Sequence, residues 1–189
     1  MTTPSTPKRR ADAARNRDAI LAAARAAFAE AGGDGEVSMA EISRRAGVGM
    51  ATLYRNFPGR RELLEALYVE EVDAVCAAAE HAEGDTPGAA LDAWLRRFVQ
   101  FFASKHEIAV ELLAQPDRDD AVFHGSRARV LAAGRPLLDA AQAGGEVRDD
   151  LTLEQILDMV IAVSRIRGEP AYTEPIVQAA LDGIRRPAA

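Results

Sequence analysis

Hydroxyl, guanidinium and amide groups crowd into one seven-residue stretch, Met50-Ala51-Thr52-Leu53-Tyr54-Arg55-Asn56. A helix over this stretch is only about 10 Å long, at 1.5 Å per residue. Leu53 and Phe57 lie four apart and share its buried side, which turns Met50, Ala51, Thr52, Tyr54, Arg55 and Asn56 outward. A short helix bearing such groups suits the DNA major groove, where base edges carry donors, acceptors and methyl groups. Arg60, at the head of the next helical pattern, is unfavourable for the helix dipole; a phosphate beside it would offset the mismatch. Arg44 and Arg45, exposed just before the turn, and the backbone of Ser38 complete the candidate phosphate contacts.

Other chemistries find less support. His81, His106 and His124 lack metal-ligand spacing, so no metal site is expected. Cys76 is the one cysteine and cannot form an internal disulfide, which fits a reducing cytoplasm. No nucleophile beside a base, phosphate-binding glycine loop or catalytic carboxylate pair stands out, so no catalytic residue and no cofactor are expected. Asp119-Asp120 and Asp149-Asp150 read as helix-start and loop residues. A second concentration of side chains is aromatic: Trp94, Phe98, Phe101 and Phe102, in a chain with 5% aromatics. Such a stripe is usually core, yet ligand pockets are also mostly apolar with a few polar groups. Phe123, His124, Arg127 and Met159 are the further candidates to line one, with His106 and Arg148 as other polar groups nearby.

The elements that must position these residues read almost entirely as helix. Ala11 to Ala31 carries Ile20, Ala24 and Phe28 at helical spacing and stops at Gly32-Gly33. Ser38 and Glu41 form a capping box that starts a helix with Met39, Ile42 and Ala46 on one face. Gly47 supplies the conformation a tight turn requires, and Val48 plugs it. Arg60 to about Glu83 forms a long helix, and Thr86-Pro87 opens one bearing the aromatic stripe, with a separate short segment at Glu107 to Leu113. Asp120 to Ala143 is helical with a break expected at Gly134-Arg135-Pro136. Thr152 and Gln155 form another capping box, and a last helix starts near Glu174. No alternating run of strand length appears, so an all-α fold of about nine helices is expected.

The stretch from Arg15 to about Leu67 resembles the DNA-binding domain of the tetracycline-repressor (TetR) family. The resemblance rests on Ile20-Leu21-x-Ala-Ala24, Phe28-x-x-x-Gly32, Ile42, Ala46-Gly47-Val48, Thr52-Leu53-Tyr54, Phe57 and Arg60-x-x-Leu63. Gly49 departs from the usual Ser or Thr cap and Asn56 from the usual His or Tyr; the second weakens the carry-over of a phosphate contact to that position. The segment from Leu137 to Asp150 and the two apolar helices after it resemble, more loosely, a regulatory domain of the same family. The resemblance implies a homodimer that binds a palindromic double-stranded DNA operator and is released by a small effector, as a repressor. Leu157, Val160, Ile161, Ser164, Val177, Ala180, Leu181 and Ile184, on the last two helices, are the expected dimer interface, because their apolar arc is too wide for solvent.

Charge agrees. The chain carries −6 overall, but residues 1–62 hold 11 Lys/Arg against 7 Asp/Glu, while residues 63–189 hold 12 against 22. A head of +4 on a body of −10 directs one end toward phosphate. The expected division is a disordered basic arm at 1–10 (Lys8, Arg9 and Arg10), a helix-turn-helix domain at 11–62 and a regulatory and dimerisation domain at 63–189. No apolar run approaches the roughly 18 residues that span a bilayer, so no membrane partner is expected. Two alternatives stay open: a ligand-independent helical DNA binder, and an all-helical enzyme carrying a helix-turn-helix.

Overall fold

Local start signals set most of the element boundaries. In a computed structural model, residues 6–31, 37–113 and 121–186 are described, with side chains at 11–30, 37–102 and 124–186. Among them lie eight α-helices: α1 (Thr6–Ala31), α2 (Met39–Arg45), α3 (Met50–Asn56), α4 (Arg60–Glu80), α5 (Pro87–Leu113), α6 (Ala121–Ala143), α7 (Leu153–Ser164) and α8 (Pro170–Asp182). The described residues contain no strand, only an isolated antiparallel bridge between Val147 and Arg185. None of these helices is long and apolar enough to cross a membrane.

The chain forms two units, Met1–Tyr68 with Glu107–Gln115, and Val69–His106 with Pro116–Ala189. The boundary after Tyr68 falls inside α4, as does the division at residue 62 read from charge. In the first unit α1 packs on α2 and α3. Its core is Ile20, Leu21, Ala24, Ile42, Leu53, Phe57, Leu63, Leu64 and Leu67. In the second unit α7 packs on α6 and α8. Trp94, Leu95, Phe98, Val130, Leu138, Ile156, Leu157, Val160 and Leu181 are buried there.

Caps act where sequence placed them. Ser38 Oγ accepts from the Glu41 N–H at 3.1 Å, and Thr152 and Gln155 make both bonds of their capping box, at 3.3 and 2.9 Å. Thr86 Oγ1 accepts from the Ala89 N–H at the start of α5. Gly145, at φ +73°, closes α6. Its N–H reaches Gln142 O and that of Glu146 reaches Ala141 O, satisfying two orphan carbonyls.

Several expectations are corrected. Thr6-Pro7 is itself a helix-start signal, so α1 begins at Thr6 and residues 6–10, expected as part of a disordered arm, are helical; residues 1–5 lie outside the described part, as do Gly32 and Gly33. The segment Glu107 to Leu113 is continuous with α5, since neither glycine nor proline separates them. α4 ends at Glu80, short of Glu83. α8 begins at Pro170, with proline in its first turn, and runs through Pro175. No break interrupts α6 at Pro136. A proline removes one backbone bond, and packing of Val130, Leu138 and Ala141 holds the helix on both sides of it. Gly134 serves another purpose: a Cβ there would lie 2.2 Å from Cη2 of Trp94.

Candidate functional site

The turn between α2 and α3 seats the candidate reader. Gly47 has φ +65°, the left-handed region that a Cβ disfavours. Its N–H donates to Arg44 O at 3.2 Å and the Val48 N–H to Ser43 O at 3.2 Å, the paired closure of a helix C-terminus. Ser43 is buried and its hydroxyl donates to the Val48 carbonyl at 2.6 Å, fastening the turn from inside. Sequence reading passed over Ser43. A hydroxyl beside Ile42 on the covered side of α2 was the available signal.

α3 is anchored by Leu53 and Phe57, both fully buried. Tyr54 is 46% and Met50 38% exposed, large side chains left outside although the helix has only seven residues. Ala51 and Arg55 are exposed as well, while Thr52 and Asn56 are half-buried. Gly49, extended at the N-cap, provides no side-chain cap. Of the six residues expected outward, Met50, Ala51, Tyr54 and Arg55 are exposed and Thr52 and Asn56 are not, and the polar ends of Arg55 and Asn56 turn back along the helix. Arg55 donates to Ala51 O at 3.1 Å and to Thr52 Oγ1 at 2.9 Å, and Asn56 donates to Thr52 O at 2.8 Å.

The basic residues around the turn are engaged with neighbours. Arg44 and Arg45 both bond the Glu41 carboxylate, at 2.6 Å each, and Arg45 also reaches Glu30 at 2.7 Å. These bonds, Arg44's first, hold the Glu41 carboxyl down at about 2. Glu41 thus does not complete the capping box with Ser38; two guanidiniums attract it more strongly than a neutral N–H. Arg60 donates to the Val37 carbonyl, and its guanidinium lies 5.4 Å from the centre of the Phe28 ring. It joins the start of α4 to α1 and to the segment before α2. Arg17 sits over the Phe57 ring at 4.6 Å and was also missed. Its position three before Ile20, on the core stripe of α1, was the clue.

In the second unit the aromatic stripe packs on itself. Trp94 is 1% exposed, its indole N–H donates to Val75 O at 3.1 Å, and its ring lies 5.9 Å from that of Phe98. Phe98 is buried against Phe101 and half-buried Phe102, at 6.3 and 4.8 Å. Trp94, Phe98 and Phe101 are core residues, the bland alternative for such a stripe. The side chains of Phe123 and His106 lie outside the described part. His124 is exposed, Arg127 pairs with Asp158 at 3.0 Å, Arg148 pairs with Asp150 at 2.6 Å, and Met159 is half-buried. Space opens instead at the stripe's edge. A trough of about 570 Å³ runs between α4 and α5 over Ala74, Ala77, Ala78 and Ala93, with His81, Trp94 and Arg97 on its walls.

The expected interface residues divide. Leu157, Val160, Val177, Leu181 and Ile184 are buried within the chain's own core, Val160 and Leu181 to 1% exposure. Ile161, Ser164 and Ala180 remain half-buried. The outward face of α8 is instead Tyr172, at 63% exposure, with Pro175 and Ala179 exposed as well and Ile176 half-buried between them. Ala162 and Ile166 are exposed on and just after α7. Among the described residues no group of His, Cys, Asp and Glu is arranged to hold a metal ion.

Comparison with known proteins identifies the pattern. Residues 20–67 match the model of bacterial regulatory proteins of the tetR family, and residues 86–186 match the C-terminal domain of SbtR-like transcriptional regulators. A TetR transcriptional regulator from Streptomyces coelicolor is 35% identical, over 91% of this chain and 99% of its own, with a TM-score of 0.71. The chain belongs to the TetR family. A TetR regulator from Mycobacterium vanbaalenii is 33% identical, over 94% of this chain and 99% of its own, with a TM-score of 0.73. A family member from Agrobacterium tumefaciens, at 20% identity, 92% of this chain, 100% of its own and a TM-score of 0.71, shares the fold. Among curated proteins none matches. As a TetR family protein, the chain is a DNA-binding transcriptional regulator with an N-terminal helix-turn-helix of α2 and α3.

Proposed function

We propose that this TetR family regulator is a homodimeric repressor that reads a palindromic operator with α3 and is released by a small apolar or aromatic molecule. The exposed face of α3 carries the reading: Met50, Ala51 and Tyr54 stand out from a helix whose other side is sealed by Leu53 and Phe57. Arg44 and Arg45 lie beside it and can exchange Glu41 for phosphate, and the Ser38 backbone is the third phosphate candidate. Arg60 serves mainly as a strut, because its guanidinium is already committed to Val37 and Phe28.

For assembly, the exposed Tyr172 and Ala179 on α8, with Ala162 and Ile166 exposed on and just after α7, support pairing with a second copy. Two such chains present two reader helices to half-sites one helical turn or more apart. For release, the trough between α4 and α5 has the size of small-molecule sites, which run from roughly 300 to 1,000 Å³. Its alanine floor suits an apolar body, and Arg97 and His81 offer a polar anchor. A molecule there acts only through unequal affinity for the DNA-competent and DNA-incompetent states.

Selection of bound fragments from random DNA by the full chain tests the reading. A palindrome bound at a salt-dependent affinity, and lost in Tyr54→Ala, is the expected result; failure to enrich any sequence refutes it.

A further inference from the structure

The outward face of α3 is poor in uncommitted hydrogen-bonding groups, which bears on the bases it can read. Guanine is read best by an arginine fork and adenine by an Asn or Gln amide. The Arg55 guanidinium lies along α3, on Ala51 O and Thr52 Oγ1, and the Asn56 amide is turned back to Thr52 O. Thr52 is half-buried, and its hydroxyl oxygen already accepts from Arg55. Met50, Ala51 and Tyr54 point outward. Recognition helices meet base edges with their N-terminal residues, which here are Met50 and Ala51. Gly49 precedes them without a side chain and with open space where a Cβ would sit, and both residues are exposed. An apolar side chain in the major groove has one base feature to match, the thymine C5-methyl group.

We propose that α3 reads its half-site chiefly through thymine methyl groups, gripped by Met50 and Ala51 and flanked by the Tyr54 ring. The inference deepens the DNA-reading function above and rests on it. Arg55 stiffens the helix and adds positive potential, and guanine identity is not its task.

The test uses the operator enriched from random DNA by the full chain. Its thymines are replaced one at a time by deoxyuridine, which lacks only the methyl group. At the thymines under α3 each replacement weakens binding about fourfold, the factor corresponding to about 0.8 kcal/mol for one buried carbon. In Met50→Ser the same replacement costs less than about twofold, because the partner of the methyl is gone. Arg55→Ala weakens all sequences alike and relaxes no preference at a G·C pair. An enriched operator indifferent to every such replacement, or one whose guanine preference relaxes in Arg55→Ala, overturns the inference and leaves sequence-specific binding standing. Failure to enrich any operator refutes the reading itself, and the inference with it.

Discussion

Glu41 stands three residues after Ser38, the spacing that would turn its carboxylate back to the cap, and the folded chain gives it to Arg44 and Arg45 instead. Its carboxyl is held at about 2, below the ordinary 4.5, so the contribution to stability is present above pH 4.5 and is lost as pH falls toward 2. Glu41→Gln should flatten that acid-side loss in a denaturation series, and salt should shrink the difference because the cluster is exposed. The same substitution releases Arg44 toward phosphate and leaves Arg45 with Glu30 alone, so affinity for unrelated DNA should rise and its salt dependence steepen. A variant that titrates like wild type refutes the cluster. Tyr54 and Arg60 separate reading from support. Tyr54→Ala should weaken operator binding with melting unchanged, since an exposed ring supports no core. Arg60→Ala should lower stability by about 1 kcal/mol, the scale of a lost hydrogen bond, and reduce affinity only as α1 and α2 loosen. Equal melting of Arg60→Ala and wild type would return Arg60 to a simple phosphate contact.

Among the elements, α6 contradicts the most direct sequence rule. Gly134 and Pro136 read as an interruption, and the helix passes through both. The glycine makes room for Trp94, whose six-membered ring occupies the space of a Cβ. Gly134→Ala should therefore cost about 1–3 kcal/mol by overpacking, although alanine is the better helix former. A more stable Gly134→Ala protein in chemical denaturation would show that the indole yields. α3 behaves oppositely. Gly49→Ser adds a side chain into open space at an extended N-cap and should stabilise by a few tenths of a kcal/mol.

For the whole molecule, burial decides which apolar residues can meet a second copy. Val160 and Leu181 are already inside, so Val160→Glu or Leu181→Glu should unfold the chain rather than split a dimer. Tyr172→Glu and Ala179→Glu alter exposed positions of α8 and should give folded monomers, read by light scattering with unchanged circular dichroism. Obligate dimers bury upward of about 2,000 Å², so one charge at the seam is strongly unfavourable. A wild-type monomer at micromolar concentration refutes the interface. A ligand of the α4–α5 trough should change Trp94 fluorescence and loosen operator binding, and operator should weaken that ligand by the same factor.

What sequence by itself determined is what acts over a few residues. Ser38, Thr86 and Thr152 start helices because a side-chain oxygen meets an N–H within the next turn. Gly47 makes the turn because one residue there must take φ +65°. The 3.6-residue period then marks a face of α3 with Leu53 inside and Tyr54 outside. The same period cannot say what covers an apolar face. It put Val160 and Leu181 at a seam between copies, where the folded chain buries them in its own core, and it could not separate a pocket wall from a core at Trp94. Nor can spacing tell where a long cation goes: Arg60 reached Val37, and Arg17 reached Phe57. Those outcomes rest on groups distant in sequence that meet only after the helices pack. Only the tertiary structure, by filling or leaving open the space beside each side chain, decided them.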